Sequence, residues 1–374
     1  MKTNLLRACI AVVFVLGIAL VGCAPAEQEA PDGEASNGAP SAPAGEVIKW
    51  RMAGPWSAGT GDYDLQIYFA DTVRAMTDGQ LDIEVFAGGA VVDAYQEFDA
   101  CSEGTLDAIF TGLPNLAGTF GPAARLFVGY PGGPTIYEQL AWFYEGGGNE
   151  LNQEAFDMYN YNIKHVGPGS PRSAEGFGWF KEPVNSLDQF DGLKFRTAAI
   201  WGEILSEELG ASVIHVPAGE LYEGFMRGVI DAFEFSVPTL DWDYGYQELG
   251  AIYHMPGIHQ TNTMQQVDVN ADEWAALPPH LKAVIEHATE ATASRGLWES
   301  NYLDGIAYEK MLDYGVEIHD LPVDVQEGIL DAAEIVYERY RADDPFFDKV
   351  MTSQEEFYAS YRACQDRITG WVTR

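Results

Sequence analysis

The stretch 103–114, Glu-Gly-Thr-Leu-Asp-Ala-Ile-Phe-Thr-Gly-Leu-Pro, returns as 227–238, Arg-Gly-Val-Ile-Asp-Ala-Phe-Glu-Phe-Ser-Val-Pro, at a constant offset of 124 residues. Gly, Asp, Ala and Pro coincide, and apolar positions match apolar ones. Each copy reads as a helix ended by glycine, then an apolar-Asp-Ala turn into a buried strand. A unit used once in each half of a chain points to two similar lobes facing a cleft. The copies differ where Phe110 of the first is replaced by Glu234, between Phe233 and Phe235. A carboxylate inside an apolar strand is costly unless a cation or hydrogen-bond donors meet it there.

Around the first copy the segments alternate: strand at 47–53, amphipathic helix at 62–76, strand at 81–86, helix at 94–102 and strand at 106–110. This α/β order predicts mostly parallel sheets flanked by helices, with ligands at the carboxyl ends of the strands. From residue 278 onward the pattern turns helical, at 279–293, 297–314, 323–341 and 353–371. These amphipathic, charged stretches suit either a brace within one chain or the interface of a homodimer.

The first 46 residues stand outside the predicted fold. Lys2 and Arg7 precede an apolar run at 8–20, too short for a comfortable membrane span, which closes on Leu20-Val21-Gly22-Cys23. This resembles a bacterial lipoprotein signal, which implies cleavage before Cys23 and lipid on that cysteine. Residues 24–46 hold Ala, Pro, Gly, Ser and Glu with no large apolar side chain, the composition of a flexible tether. The mature protein is therefore expected to be exported and lipid-anchored at the membrane, facing the periplasm or cell exterior. Of four cysteines, Cys9 leaves with the signal and Cys23 carries lipid. Cys101 and Cys364 remain where oxidation is allowed, though nothing in the sequence brings them together.

Charge narrows the partners. With 57 acidic against 21 basic residues the net charge is −36; loss of Lys2 and Arg7 with the signal makes it −38. Such a chain is not suited to nucleic acid, which needs a basic surface. At 47% hydrophobic and 13% aromatic it is too apolar for an acidic disordered protein.

A second carboxylate lies in surroundings comparable to those of Glu234. Glu175 precedes Gly176-Phe177-Gly178-Trp179-Phe180, a stretch that allows close backbone approach and offers ring surfaces to a small ligand. Further on, Gly192-Leu193-Lys194-Phe195-Arg196 reads as a short strand placing Arg196 at its carboxyl end. A guanidinium there can hold a carboxylate through two parallel hydrogen bonds.

These segments, with Glu220-Leu221-Tyr222-Glu223-Gly224-Phe225, Gly228-Val229-Ile230-Asp231-Ala232-Phe233-Glu234 and Tyr253-His254-Met255-Pro256-Gly257-Ile258-His259, closely resemble the solute receptors of TRAP (tripartite ATP-independent periplasmic) transporters, the DctP family. The resemblance runs from about residue 47 to the C-terminus. It implies an α/β two-lobe periplasmic binding protein, a clamshell with a helical C-terminal brace. The expected divisions are signal 1–22, tether 23–46, first lobe 47–170, second lobe 171–258, and returning strands, brace and C-terminal helices 259–374. It further implies a receptor without catalysis that binds a small organic acid through Arg196 and delivers it to membrane permease subunits.

The Trp-Phe pair after glycine resembles the branch that binds 2-oxo or 2-hydroxy monocarboxylates together with a metal ion. In that branch a Gln, a Glu and the carbonyl of the residue after the Glu surround the ion. Here those positions are Glu175, Glu234 and Phe235, a harder and more negative oxygen set that favours Ca²⁺, with Na⁺ and Mg²⁺ also open. The resemblance thus nominates Arg196, Glu175, Trp179 and Phe235 for the ligand, and Glu175, Glu234 and Phe235 for the metal. Trp56 and Ser57, in a loop after the first strand, are further ligand candidates. His215, His254 and His259 have no metal-ligand spacing with a carboxylate and are expected to be structural or at the surface. Two other readings remain: a receptor for a dicarboxylate or sugar acid without metal, and an anchored hydrolase using Glu175 and Glu234 as acid and base.

Overall fold

The computed structural model describes residues 47–368 apart from 198 and 217. The signal, the tether and Cys23 lie outside the described residues. Among the described residues eleven strands occur: β1 (Ile48–Ala53), β2 (Leu81–Phe86), β3 (Ala108–Thr111), β4 (Ile163–Arg172), β5 (Gly178–Phe180), β6 (Lys194–Arg196), β7 (Ser212–Val213), β8 (Ala232–Phe233), β9 (Ile252–Met255), β10 (Thr263–Asn270) and β11 (Glu317–Asp320). They form two sheets, ordered β2-β1-β3-β10-β4 and β11-β9-β5-β8-β6-β7.

The internal echo is a structural repeat. In the first sheet β3 lies between parallel β1 and antiparallel β10; in the second, β8 lies between parallel β6 and antiparallel β5. The helices Glu97–Ser102 and Leu221–Met226 precede these strands, and Gly104 and Gly228 follow them with φ of 80° and 73°. The two turns are bonded alike. The Asp107 N–H donates to the Arg51 carbonyl at 3.0 Å, and the Asp231 N–H to the Lys194 carbonyl at 2.8 Å. Each Asp also pairs with a cation, Arg51 at 3.3 Å and Lys181 at 2.8 Å.

Each sheet is parallel except for one strand, and that strand arrives from the other lobe. The chain leaves the first sheet at β4 to enter the second as β5, and leaves the second at β9 to return as β10. Both crossings run beside the carboxyl ends of β1, β3, β6 and β8.

The helices at 279–293 and 297–314 are one continuous helix, Pro279–Tyr314, of 36 residues. Gly296 does not break it: a Cβ there would stand 2.9 Å from Leu65 Cδ1, so its smallness serves close packing, which outweighs its helix penalty of about 1 kcal/mol. At ~1.5 Å per residue the helix is ~54 Å long and reaches both lobes. Leu281, Ile285 and Ala288 enter a core with Trp50, Phe69 and Phe110, while Met311 enters another with Trp179, Phe233 and Tyr253. Between them Asp304 accepts hydrogen bonds from the Thr239 N–H at 3.1 Å and its hydroxyl at 2.6 Å.

Other boundaries shift for local reasons. The helix expected at 94–102 starts at Glu97, because Tyr95 is left-handed with φ of 72°. The last helix starts at Pro345 rather than 353, because Asp344 caps it by accepting from the N–H groups of Phe346 and Phe347 at 2.9 and 3.1 Å. Cys101 and Cys364 are free thiols, one buried and one exposed, so no bridge joins them. Among the described residues no helix is long and apolar enough to cross a membrane.

The brace helix offers a paired test. Ile285→Ala, at a fully buried position, is expected to lower urea-unfolding stability by about 2–5 kcal/mol. Trp298→Ala on the same helix, at a position 60% exposed, should change it by no more than about 0.5 kcal/mol.

Candidate functional site

A cavity of about 310 Å³ opens where the strand ends of the two sheets face each other. The first lobe contributes Trp56, Tyr95 and Asn115; the second contributes Glu175, Arg196, Trp201, Glu234 and Phe235; the returning crossover contributes His259 and Gln260, and β10, which it enters, contributes Gln265. Arg196 ends β6 and Glu234 follows β8, so the parallel pairing of these strands, which sets Arg196 opposite Phe233, places a cation and an acid side by side.

Local backbone contacts hold these groups. Arg196 Nε donates to the Val216 carbonyl at 3.2 Å and Nη1 to the Glu234 carbonyl at 2.9 Å, while Nη1 stands 3.5 Å from Glu234 Oε1. The guanidinium is thus held by two backbone carbonyls, with a longer pairing to the Glu234 side chain. Glu175 sits on the crossover from β4 to β5, where its N–H donates to the Gln260 carbonyl at 3.2 Å. The two crossovers touch here: a Cβ on Gly257 would fall 2.0 Å from the Glu175 carbonyl oxygen, so only glycine permits the approach.

Glu175 and Glu234 are both buried, and with His259 each offers a ligand atom within 4.8 Å of the others. Opposite oxygens on one Ca²⁺ stand about 4.6–5.2 Å apart, given bonds of about 2.3–2.6 Å, so one ion can touch all three donors. The donor chemistry fits: two carboxylates and an imidazole whose ring nitrogens lack hydrogen-bond partners among the described residues. Burial, with the negative charge of Glu234 adding to it, pushes the Glu175 carboxyl well above the ordinary range, against the pull of Arg196 and Arg172. Burial also lowers His259 to about 4. Behind the site Asp241 is buried and accepts from Trp179 Nε1 at 2.9 Å; burial pushes its carboxyl up as well.

Of the residues nominated from sequence, Glu175, Glu234, Arg196, Phe235 and Trp56 line the cavity, and Trp56 Nε1 is buried without a hydrogen-bond partner among the described residues. Trp179 and Ser57 do not. Trp179 packs into the second-lobe core against Tyr253 at 4.6 Å, because its indole N–H is committed to Asp241. Ser57 is exposed, and its carbonyl closes a turn by accepting from the Thr60 N–H and hydroxyl. His259, expected to be structural or at the surface, is buried and stands in the acid cluster, with Nε2 3.7 Å from Glu175 Oε2. Other unforeseen lining residues, Trp201, Tyr95, Asn115 and Gln265 among them, carry no motif. For His259 the one usable signal was its position, just after Pro256-Gly257 on the return crossover.

Two lobes, two crossovers and a polar cavity between them define a solute-binding protein of the periplasmic clamshell type. The chain belongs to the DctP family, bacterial extracellular solute-binding protein family 7, whose model matches residues 53–343. The family consists of solute-binding receptors, not enzymes. The chain is 28% identical over 324 residues, 87% of its length and 86% of the relative's, to a monocarboxylate 2-oxoacid-binding periplasmic protein of Nostoc sp.. Among solved structures it is similar to a TRAP periplasmic solute binding protein of Colwellia psychrerythraea with bound calcium and pyruvate. The TM-score is 0.80 and the identity 29%, covering 86% of this chain and 97% of that one. A Pseudoalteromonas atlantica counterpart with bound sodium and pyruvate gives a TM-score of 0.78 at 29% identity, covering 86% and 96%.

The raised Glu175 pKa sets a pH dependence for the metal-free protein. A group that holds its proton more tightly when folded contributes most stability below its ordinary value of 4.5 and loses it as pH rises through the folded value. Glu175→Gln is therefore expected to raise the thermal midpoint of chelator-treated protein more at pH 8 than at pH 5.

Proposed function

We propose that this protein is the extracytoplasmic receptor of a TRAP-type transporter, binding a small 2-oxo or 2-hydroxy monocarboxylate through Arg196 and a divalent cation, and delivering it to the membrane permease. The observation that carries this reading is the meeting of Arg196, Glu175 and Glu234 in one cavity between the lobes. Its volume lies at the small end of ligand pockets, about 300–1,000 Å³, which suits a compact acid.

In this reading Glu175, Glu234 and the Phe235 carbonyl hold the cation, Ca²⁺ by preference, and Arg196 takes the ligand carboxylate. When bound, the cation supplies positive charge that a carboxylate and a C2 oxygen can chelate together. Trp56, from the first lobe, covers the ligand as the lobes close. The lobes are 47–170 and 171–258, with 259–374 returning and bracing, and lipid on Cys23 keeps the receptor at the membrane. The bound calcium with pyruvate in the Colwellia structure and the 2-oxoacid named for the Nostoc relative support this choice of ligand and ion.

Two measurements test it. By titration calorimetry with pyruvate and Ca²⁺, Arg196→Ala is expected to weaken binding at least about 10- to 100-fold, the worth of a charge-assisted pair; unchanged affinity would defeat the arginine assignment. In a thermal-shift screen of small carboxylates, chelator should abolish the pyruvate-induced shift and added Ca²⁺ restore it. A shift that survives chelation would favour a receptor for another organic acid without metal.

A further inference from the structure

His259 is 2% exposed, yet both ring nitrogens lack a hydrogen-bond partner among the described residues. Its orientation is set by packing instead: the ring lies 5.6 Å from that of Phe177, edge to face, and 5.8 Å from that of Trp201. Burying two unmet polar atoms is costly unless something meets them in the working protein. Glu175 Oε2 stands 3.7 Å from Nε2, and oxygens of both glutamates share one 4.8 Å cluster with a His259 nitrogen. Adjacent donors on a tetrahedral ion with bonds of about 2.0–2.2 Å stand about 3.3–3.6 Å apart, so the His259–Glu175 pair is already near that spacing, and donors at the 4.8 Å limit of the cluster would close by roughly 1 Å or a little more around such an ion.

We propose that His259 is a nitrogen ligand of the cation site, and that the site in consequence holds first-row transition ions such as Co²⁺, Ni²⁺ or Zn²⁺ more tightly than Ca²⁺. The inference rests on the cation reading above and adds a donor that changes ion preference. Hard Ca²⁺ is served by oxygen and gains little from imidazole, whereas the transition ions favour it. The ring is held by Phe177 and Trp201 whether or not an ion is bound, so little ordering is needed when the nitrogen is used.

The test uses chelator-treated protein titrated with Co²⁺ and separately with Ca²⁺, with proton NMR to detect imidazole resonances shifted by direct Co²⁺ contact. The wild type should bind Co²⁺ at least about tenfold more tightly than Ca²⁺ and show one such contact-shifted imidazole. His259→Phe, which keeps an aromatic ring between Phe177 and Trp201, should lose that signal and at least about tenfold in Co²⁺ affinity, a larger loss than it shows for Ca²⁺. His259→Gln is the second variant and should behave in the same way. Ca²⁺ binding by the wild type with no shifted imidazole, or a shifted imidazole that survives both substitutions, overturns the role of His259 and leaves the cation reading standing. Failure of the wild type to bind either ion overturns both.

Discussion

Two buried carboxylates forced together at the meeting of two lobes are the constraint on which the site depends. At about 4 Å and an effective dielectric of about 20, two like charges repel by about 4 kcal/mol, and desolvation adds to that. The fold accepts this because neither glutamate can move away. Glu234 follows β8, the central strand of the repeat in the second sheet. Glu175 is pinned where Gly257 of the other crossover presses on its carbonyl. Arg196 offsets part of the charge, bound through Nη1 to the Glu234 carbonyl. Arg172 adds a further positive contribution from the end of β4, although Asp62 at 3.1 Å already claims it. The remaining imbalance is what a cation would relieve, since a bound ion inverts the local preference for protonated carboxyls.

The repeat explains why such a pair occurs at the cleft. In the first lobe the strand position equivalent to Glu234 is Phe110, a fully buried core residue. Substituting Glu at the corresponding place in the second lobe turns a core position into a cleft position, because β8 is short and ends at Phe233. Sequence self-comparison could reveal this, since period, turn chemistry and the odd carboxylate are all local. Arg196 was legible for the same reason, as the last residue of a strand whose alternation is visible in Leu193 to Arg196.

What was not legible depends on contacts between distant segments. Gly296 looks like a helix break in isolation, and only Leu65, far away in sequence, makes it a packing site. Trp179 lies in the expected motif, but the partner that turns its indole into the core is Asp241, from another helix. His259 has no spacing that ties it to a carboxylate, because the ties run across a crossover: Glu175 is 84 positions earlier and meets it only where the two connections lie side by side. Pattern reading finds side chains placed by their own element and misses those placed by a crossing.

The charge of the whole chain makes the local arrangement necessary. A protein of −36 repels an approaching anion at long range, although screening confines that field to about 8 Å at physiological ionic strength. Most of the 57 acids are therefore compatible with binding an acid, provided that they stay on the solvated surface. Inside the cleft the sign must be reversed over a few ångströms, and Arg196, aided by an Arg172 already paired with Asp62, faces two glutamates there. In the proposed reading, a cation shared by those glutamates would convert their negative charge into a place where a carboxylate and its neighbouring oxygen could be held. The acids that most oppose the ligand would thus become the groups that recruit its positive partner.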